Sequence, residues 1–198
     1  MINSNKLYTG VFLDRDGTIN VEAGYIYRVE DFKLYEFSAE AIKRLNKLGL
    51  RTVVVTNQSG VARGFFDEKF VEKVNRKMIK LLNKGGASID GIYYCPHLPQ
   101  GKVKKYAIDC DCRKPKTGMI VKAASDLNID LKKSFIIGDR VSDFLPGKEL
   151  NMTTILVLTG YGEETYKDIC KKGNEKPDYV AKNLLEAVNY ITEKLSYD

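Results

Sequence analysis

The chain has 198 residues, of which 43% are hydrophobic, so it is long enough to bury one core and short for two. We therefore expect a single domain over residues 1–198. The net charge is +6, but basic residues alternate with acidic ones along the predicted helices. This favours a solvated surface that attracts small anionic molecules and disfavours a nucleic-acid interface.

Signals for secretion or membrane insertion are not found in the sequence. The first residues carry Lys6 and a short apolar run that ends at Asp14, without the apolar core and cleavage site of a signal peptide. No later segment approaches the ~20 apolar residues that span a bilayer. We expect a cytoplasmic protein with no membrane partner, and a monomer as the default.

Secondary structure is predicted from the spacing of apolar residues. Apolar, β-branched runs predict buried parallel strands at residues 8–13, 51–55, 134–137 and 153–158. Apolar residues at three- and four-residue steps predict helices at residues 38–48, 67–83, 117–127 and 183–195. Alternating strands and helices predict an α/β fold whose parallel sheet is covered on both faces.

The first strand ends in the motif FLDRDG, which places Asp14 and Asp16 where open parallel sheets bind ligands. Two neighbouring carboxylates repel when both are ionised, and Mg²⁺ bound by their oxygens would remove the repulsion. One carboxylate is then suited to attack phosphorus and the other to transfer protons. The alternative is an ordinary turn, because Asp16-Gly17 is a common turn dipeptide.

Three more polar motifs follow predicted elements. TNQSG after the second strand offers Thr56, Asn57 and backbone N–H groups to a phosphate, or forms a polar turn. CRKPK offers a cation for developing negative charge. GDRVSD after the third strand offers Asp139 and Asp143, of which one is suited to hold a cation and the other to orient it, or forms a solvated acidic turn.

Residues 91–115 contain three of the five prolines, three of the four cysteines and the only histidine, and we predict a long loop that needs its own cross-link. Cys95, His97, Cys110 and Cys112 form the ligand set of a closed, structural zinc site. The one-residue spacers are tighter than C-x2-C, so incidental cysteines remain an alternative. A catalytic zinc is disfavoured because four protein ligands leave no open position.

The order of these motifs, each at a strand terminus, resembles the haloacid dehalogenase (HAD) phosphohydrolase family from Val11 to Asp143. The resemblance implies a HAD-like Rossmannoid three-layer sandwich. It implies Asp14 as nucleophile, Asp16 as acid and base, and Thr56 and Lys114 as phosphate stabilisers. It also implies Mg²⁺ on the Asp14 carboxylate, the Asp16 backbone carbonyl and the Asp139 carboxylate, with Asp143 and Arg140 in support.

The spacing of the motifs excludes a large cap domain. About forty residues separate Asp16 from Thr56, and about sixty separate Thr56 from Lys114, which is too few for a folded cap beside the core helices. We therefore expect an open site in which loops select the substrate, beside one zinc-stapled loop.

Within this family, a zinc loop ahead of CRKP resembles the heptose bisphosphate phosphatases and the histidinol-phosphate phosphatases. The segments FLDRDGTIN with Gly24-Tyr25, TNQSGVARG and GIYYCPH favour the heptose subfamily, which implies removal of the 7-phosphate of a sugar bisphosphate in nucleotide-activated heptose synthesis. The resemblance implies that the substrate is lined by Glu22, Ala23, Gly24, Tyr25, Asn57, Gln58, Ser59 and Arg113.

Other functions stay open at this point. Within enzymes, they are a histidinol-phosphate phosphatase and a broad sugar phosphatase. A receiver-type phosphoacceptor module is disfavoured because DxD lies on one strand. A zinc-stabilised nucleic-acid binder would explain the charge and the cysteines, and it predicts binding that weakens steeply with salt.

Overall fold

The computed structural model of the protein describes residues 6–173 and 175–196. Its centre is a six-stranded parallel sheet in the order β3-β2-β1-β4-β5-β6. The strands are β1 (Gly10–Leu13), β2 (Arg51–Asn57), β3 (Gly91–Cys95), β4 (Phe135–Gly138), β5 (Thr153–Val157) and β6 (Tyr179–Ala181). This order is that of a Rossmann-like doubly wound sheet.

Within the described residues, six α-helices lie between strands and a seventh follows β6, and three short 3₁₀ turns lie at Val29–Asp31, Lys104–Tyr106 and Leu131–Lys133. The helices are α1 (Ser38–Lys47), α2 (Gly60–Arg63), α3 (Glu68–Lys84), α4 (Gly118–Leu127), α5 (Val141–Glu149), α6 (Gly162–Lys172) and α7 (Leu184–Ser196). Helices α1, α3 and α7 pack on one face of the sheet, and α4, α5 and α6 pack on the other. The fold is therefore a three-layer sandwich.

Alternation along the strands assigns each side chain to a face. In β1, Val11 and Leu13 enter the core beneath α1, α3 and α7, whereas Phe12 enters the core beneath α4. All three are fully buried, as expected for a central strand whose side chains point alternately to two covered faces. An unbroken apolar run is thus what this position of the sheet requires.

The connections wind in opposite directions on either side of β1. The chain moves outward from β1 through β2 to β3, and then returns to pair β4 with the free edge of β1. The ends of β1 and β4 therefore flank the point where the strand order reverses, and in open α/β sheets this is where ligands bind.

The predicted fold class is confirmed, and so are the four predicted strands, with shifted ends. The prediction of a loop throughout residues 91–115 is wrong, because β3 occupies its first five residues and pairs with β2. Gly91 and the following Cys and Pro residues suggested a loop, whereas Ile92, Tyr93 and Tyr94 suit a partly buried edge strand.

Helices α2, α5 and α6 and strand β6 were also missed, and α2, with four residues, is too short for a periodic pattern. Helix α5 contains Pro146, which normally ends or kinks a helix. In helix α6, only Tyr166, Ile169 and Cys170 are hydrophobic, and of these only Ile169 is buried, which is too short an apolar pattern to predict a helix. Strand β6 has three residues, too few for a clear pattern.

Within the described residues, the two segments that a cap would occupy, between β1 and α1 and between β3 and α4, contain only 3₁₀ turns and isolated β-bridges. Among the helices of those residues, none combines the length and apolar character that crossing a membrane requires.

The single domain predicted for 1–198 also includes residues 1–5, 174 and 197–198, which lie outside the described residues.

The two edge strands begin with the same local arrangement. Asp90 precedes β3, and its carboxylate accepts a hydrogen bond from the backbone N–H of Thr52 at 2.8 Å. Asp178 precedes β6 and accepts from the N–H and the hydroxyl of Thr154, both at 2.7 Å. Each aspartate therefore ties the start of an edge strand to its inner neighbour and fixes the register.

We predict that Asp178→Ala lowers the free energy of unfolding by about 1–2 kcal/mol at neutral pH, because it leaves the buried Thr154 without these acceptors. Burial opposes ionisation of Asp178, but Lys148 and the Thr154 donors outweigh it and lower the pKa of the carboxyl. The stability that Asp178 contributes is thus present above its unfolded pKa of about 3.9. It is lost as the pH falls through the lower pKa of Asp178 in the folded protein.

Urea unfolding of both proteins between pH 3 and pH 7 measures the effect. Asp168→Ala is the matched control, since Asp168 is an exposed acid that pairs with Lys172 on α6. Equal losses from the two substitutions would contradict a register role for Asp178.

Candidate active site

Polar residues meet at the carboxyl edge of the sheet, where β1, β2 and β4 end side by side. Asp14 follows β1, Thr56 and Asn57 end β2, and Asp139 follows β4. A cavity of about 350 Å³ lies at this edge. Because parallel strands direct their carboxyl ends to one edge, residues from distant parts of the chain come together here.

The predicted site residues occupy most of the cavity wall. Those that line it are Asp14, Asp16, Glu22, Gly24, Tyr25, Thr56, Asn57, Ser59, Arg113, Lys114, Arg140 and Asp143. Ala23, Gln58 and Asp139 are not among the lining residues. Ser142 and Tyr161 also line the cavity, although neither was a predicted site residue.

A buried group of three carboxylates and one ammonium lies at the base of the cavity. Oxygens of Asp14, Asp139 and Asp143 lie within 4.8 Å of one another. The Nζ of Lys114 is 2.6 Å from Asp14 Oδ1, 2.8 Å from Asp143 Oδ1 and 2.7 Å from the carbonyl oxygen of Val55. One positive charge therefore faces three acids.

This imbalance changes the protonation of the acids. Burial raises the pKa of Asp14 to about 7, and the charges of Asp143 and Asp16 add to the rise while Lys114 opposes it. Burial and the charges of Asp14 and Asp143 raise the pKa of Asp139 to about 8. Burial disfavours the ammonium of Lys114, but Asp14 and Asp143 outweigh it and raise its pKa.

The acids have the donor set of a hard cation. The Oδ1 of Asp139 is buried and has no hydrogen-bond partner among the described residues, although a buried carboxylate oxygen normally has one. Mg²⁺ prefers carboxylate and carbonyl oxygens, and a divalent charge would offset the excess negative charge. These residues therefore fit Mg²⁺.

Two glycines leave room for the Asp139 carboxylate. Gly17 and Gly160 both have positive φ, 83° and 58°, and a Cβ on either would lie 2.2 Å from Asp139 Oδ2. That oxygen accepts a hydrogen bond from the backbone N–H of Tyr161 at 2.8 Å. The hydroxyl of Thr159 donates to the carbonyl of Gly17 at 2.6 Å, which joins the loop after β5 to the loop after β1.

The carboxylate of Asp16 has different partners from that of Asp14 and is not part of the acidic group. It accepts hydrogen bonds from Arg15 at 2.9 Å, from Asn20 at 3.0 Å and from Gln58 at 2.9 Å. Burial opposes ionisation of Asp16, but Arg15, Asn20 and Gln58 outweigh it and lower its pKa. The surroundings of the two aspartates therefore shift their pKa values in opposite directions.

Residues at the end of β2 face different partners. The side chain of Asn57 exchanges two hydrogen bonds with the backbone of Lys114, at 3.0 and 3.1 Å. The amide of Gln58 donates to Thr56 Oγ1 and Asp16 Oδ2, and the residue lines a smaller neighbouring cavity, so its substrate contact stays a prediction. Gln58 therefore orders the polar groups behind the main cavity.

The loop after β1 and two arginines form the cavity mouth. Glu22 accepts a hydrogen bond from the N–H of Gly24 at 2.6 Å, and Tyr25 packs edge-to-face on Phe65 with ring centres 4.8 Å apart. Arg113 donates to the carbonyl of His97 at 3.1 Å. The guanidinium of Arg140 stacks on Tyr161 at 3.6 Å from the ring centre.

The predicted zinc ligands converge on one point. The sulfurs of Cys95, Cys110 and Cys112 lie 3.1–3.5 Å apart, and His97 Nδ1 lies 3.3 Å from Cys112 and 3.7 Å from Cys95. All three cysteines are free thiols. This set of soft donors from both ends of the loop is compatible with a tetrahedral zinc site.

The same loop is tied to α3 by a shared carboxylate. Glu68 accepts hydrogen bonds from the hydroxyls of Tyr106 at 2.5 Å and Tyr94 at 3.0 Å. The N–H of Val103 donates to the carbonyl of Ala62 at 2.9 Å. Since Arg113 and Lys114 directly follow Cys112, the order of the loop determines where these two cations lie.

Comparison with known proteins identifies the family. A HAD-hydrolase-like family model matches residues 111–187. The chain is 43% identical to the D-glycero-beta-D-manno-heptose-1,7-bisphosphate 7-phosphatase of Pasteurella multocida, over 91% of this chain and 95% of that protein. It is 40% identical to the Escherichia coli K12 protein of the same name, over 96% of each. The chain belongs to this heptose bisphosphate phosphatase family.

Solved structures agree with this family. The crystal structure of D,D-heptose 1,7-bisphosphate phosphatase from B. bronchiseptica, complexed with magnesium and phosphate, matches with a TM-score of 0.82 at 29% identity, covering 94% of this chain and 99% of that chain. A putative HAD-like phosphatase from Mesorhizobium loti matches with a TM-score of 0.80 at 32% identity, covering 96% and 88%. The predicted resemblance to heptose bisphosphate phosphatases is confirmed.

The residues missed at the site had different sequence signals. Tyr161 and the glycine before it follow β5 directly, so the rule that ligands bind beyond strand ends would have found them. Arg15 lies between the two motif aspartates, where its contact with Asp16 could have been suspected. Asn75 lies four residues after Val71 and three before Met78, so the spacing of apolar residues on α3 already places it on the buried face.

We predict that Cys110→Ser lowers the zinc content and reduces the free energy of unfolding by several kcal/mol, because a structural site loses one of its four ligands. Magnesium affinity should change much less. Metal analysis and thermal unfolding measure both, with Cys170→Ser as the matched control because Cys170 is exposed and outside the group. A zinc-free mutant with wild-type stability and activity would contradict the structural role.

Proposed function

We propose that the protein is a magnesium-dependent phosphatase that removes the 7-phosphate of D-glycero-β-D-manno-heptose 1,7-bisphosphate through a phosphoaspartate on Asp14. The observation that carries the chemistry is the buried group of Asp14, Asp139 and Asp143 around Lys114. The substrate and its β anomer are supported by the names of relatives at 40–43% identity.

In this proposal, the Asp14 carboxylate attacks phosphorus and displaces the sugar oxygen. Its oxygen lies at the base of the cavity, so a phosphate that enters reaches it directly. Lys114 contacts Asp14 at 2.6 Å and is also placed to offset charge that develops on the phosphoryl oxygens. Thr56, buried at the end of β2, offers its hydroxyl to the same phosphoryl group.

Asp16 transfers the protons. It gives a proton to the departing sugar oxygen, and it takes one from the water that hydrolyses the phosphoaspartate. Asp16 lines the same cavity as Asp14, while its carboxylate is held outside the acidic group. The two aspartates therefore have separate tasks, set by separate surroundings.

Mg²⁺ would be held by the carboxylates of Asp14 and Asp139 and by the backbone carbonyl of Asp16, with Asp143 and Arg140 in support. When bound, it neutralises charge on the acids and on the phosphoryl oxygens. Asp143 contributes by holding Lys114 at 2.8 Å and by accepting the N–H of Arg140 at 2.9 Å. The unpartnered oxygen of Asp139 supports its role as a ligand.

The substrate lies along the cavity mouth. Arg113 is suited to the phosphate that is kept, because a guanidinium recognises phosphate with two parallel hydrogen bonds. Glu22, Gly24, Tyr25, Asn57 and Ser59 line the same cavity and contact the sugar in this proposal. Ala23 shares the loop but has no lining contact, and Gln58 acts through Asp16 and Thr56.

Zinc on Cys95, His97, Cys110 and Cys112 is structural in this proposal and keeps Arg113 and Lys114 in place. Free thiols of this kind persist in a reducing compartment, which supports a cytoplasmic location. We further propose that the chain is one domain that acts as a monomer on a small sugar bisphosphate, with neither nucleic acid nor a membrane as partner.

Phosphate release tests the proposed substrate. With Mg²⁺, we expect kcat/KM for the β anomer of heptose 1,7-bisphosphate to exceed that for the α anomer, histidinol phosphate and fructose 1,6-bisphosphate by at least about tenfold. A preference for histidinol phosphate would overturn the substrate. A flat profile would indicate a broad sugar phosphatase with the same chemistry.

Asp14→Asn tests the nucleophile. We expect phosphate release to fall by more than about a thousandfold, because the amide keeps the size of the side chain but cannot form the phosphoaspartate. The thermal unfolding midpoint should stay close to that of the wild type, since one of three mutually repelling acids is neutralised. Asp168→Asn on exposed α6 is the control. Retained turnover would show that another group attacks phosphorus.

A further inference from the structure

We propose that Arg15, held in place by Asn75, is a positioning residue that fixes the carboxylate of Asp16 for proton transfer. This inference rests on the proposed function, in which Asp16 transfers protons in both halves of the reaction. Neither Arg15 nor Asn75 lines the main cavity, so both would act through Asp16.

Arg15 supplies the charged part of the contacts around Asp16. Its Nη2 lies 2.9 Å from Oδ2 and 3.2 Å from Oδ1, and its Nε lies 3.3 Å from Oδ1. Asn20 and Gln58 each add one neutral hydrogen bond, at 3.0 and 2.9 Å. Charge-assisted contacts to both oxygens orient a carboxylate more strongly than single neutral bonds.

The far side of the Arg15 guanidinium is fixed by another part of the chain. Its Nη1 donates to Asn75 Oδ1 at 2.9 Å, across sixty positions in sequence. The side chain of Arg15 is 4% exposed, and Asn75 is buried on the inner side of α3. A buried amide on an otherwise apolar helix face is costly unless it has a partner, and Arg15 is that partner.

The surroundings leave Arg15 few other positions. A cavity of about 50 Å³ lies beside Arg15 and Asp16, and Phe66, Phe70 and Val74 form part of its wall. It is too small to receive a solvated guanidinium. Without Asn75, Nη1 of Arg15 would lose its acceptor, and Arg15 would hold the Asp16 carboxylate less firmly, leaving Asn20 and Gln58 as its fixed donors.

Exchange of oxygen between inorganic phosphate and water measures proton transfer by Asp16 without a sugar substrate. A bond from phosphorus to Asp14 forms while a bond from phosphorus to a phosphate hydroxyl breaks, and that hydroxyl leaves as water with a proton from Asp16. In the reverse direction, solvent water attacks phosphorus, gives a proton to Asp16 and displaces Asp14. No other reactant is needed.

The experiment follows loss of ¹⁸O from labelled phosphate in the full chain with Mg²⁺ and zinc present. We expect Asn75→Leu to slow exchange by at least about tenfold, since general acid–base catalysis contributes 10²–10⁴-fold. The phosphate concentration at half-maximal rate should stay within about threefold, because Asn75 is not in the main cavity. Asn75→Asp, which keeps the acceptor for Arg15, should restore the rate.

Lys77→Met is the control for damage to α3, because Lys77 donates to the carbonyls of Val29 and Glu30 away from the site. If Asn75→Leu does not fold, Arg15→Lys replaces it, since an ammonium keeps the charge but cannot reach both Asp16 and Asn75. Wild-type exchange in a folded variant would overturn the inference. No exchange in the wild-type protein would instead overturn the phosphoaspartate chemistry, and the inference with it.

Discussion

The excess of buried negative charge at the ends of β1 and β4 is the constraint on which the site depends. Asp14, Asp139 and Asp143 lie within 4.8 Å of one another, and Lys114 is the ammonium that contacts two of them. Removing charges from water costs free energy unless they are paired. Without a further cation, two of the acids shift toward their protonated forms. These residues therefore fit a divalent cation, whose charge would offset the excess of buried acid.

The one balancing cation is delivered by the loop with the cysteine and histidine residues. Lys114 follows Cys112 by two positions, and its backbone is held by Asn57 at the end of β2. Glu68 joins the same loop to α3 through two tyrosine hydroxyls. The position of Lys114 beside the acids therefore depends on the order of a loop that is far from them in sequence.

The site residues that lie at strand ends could be predicted from the sequence, whereas the side-chain contacts that depend on packing could not. Asp14, Thr56 and Asp139 could be placed because apolar runs end just before or at them, and parallel strands end at one edge. The partners of Gln58 and the contact between Arg15 and Asn75 could not be predicted, because only the packed structure shows which polar groups from distant parts of the chain meet. Edge strand β3 was missed because its half-buried residues show no clear alternation.

The pH dependence of stability with and without magnesium tests the charge imbalance most directly. Folding raises the pKa of Asp14 to about 7 and of Asp139 to about 8, above the unfolded value of about 3.9. The stability these acids contribute is therefore full below pH ~4 and is lost as the pH rises through 7 and 8. Mg²⁺ competes with these protons for the carboxylates. At a Mg²⁺ concentration of about 1,000 times its Kd at pH 8, Mg²⁺ should therefore raise the free energy of unfolding by several kcal/mol at pH 8 and by little at pH 5. The same magnesium effect at every pH, or none at all, would contradict the account.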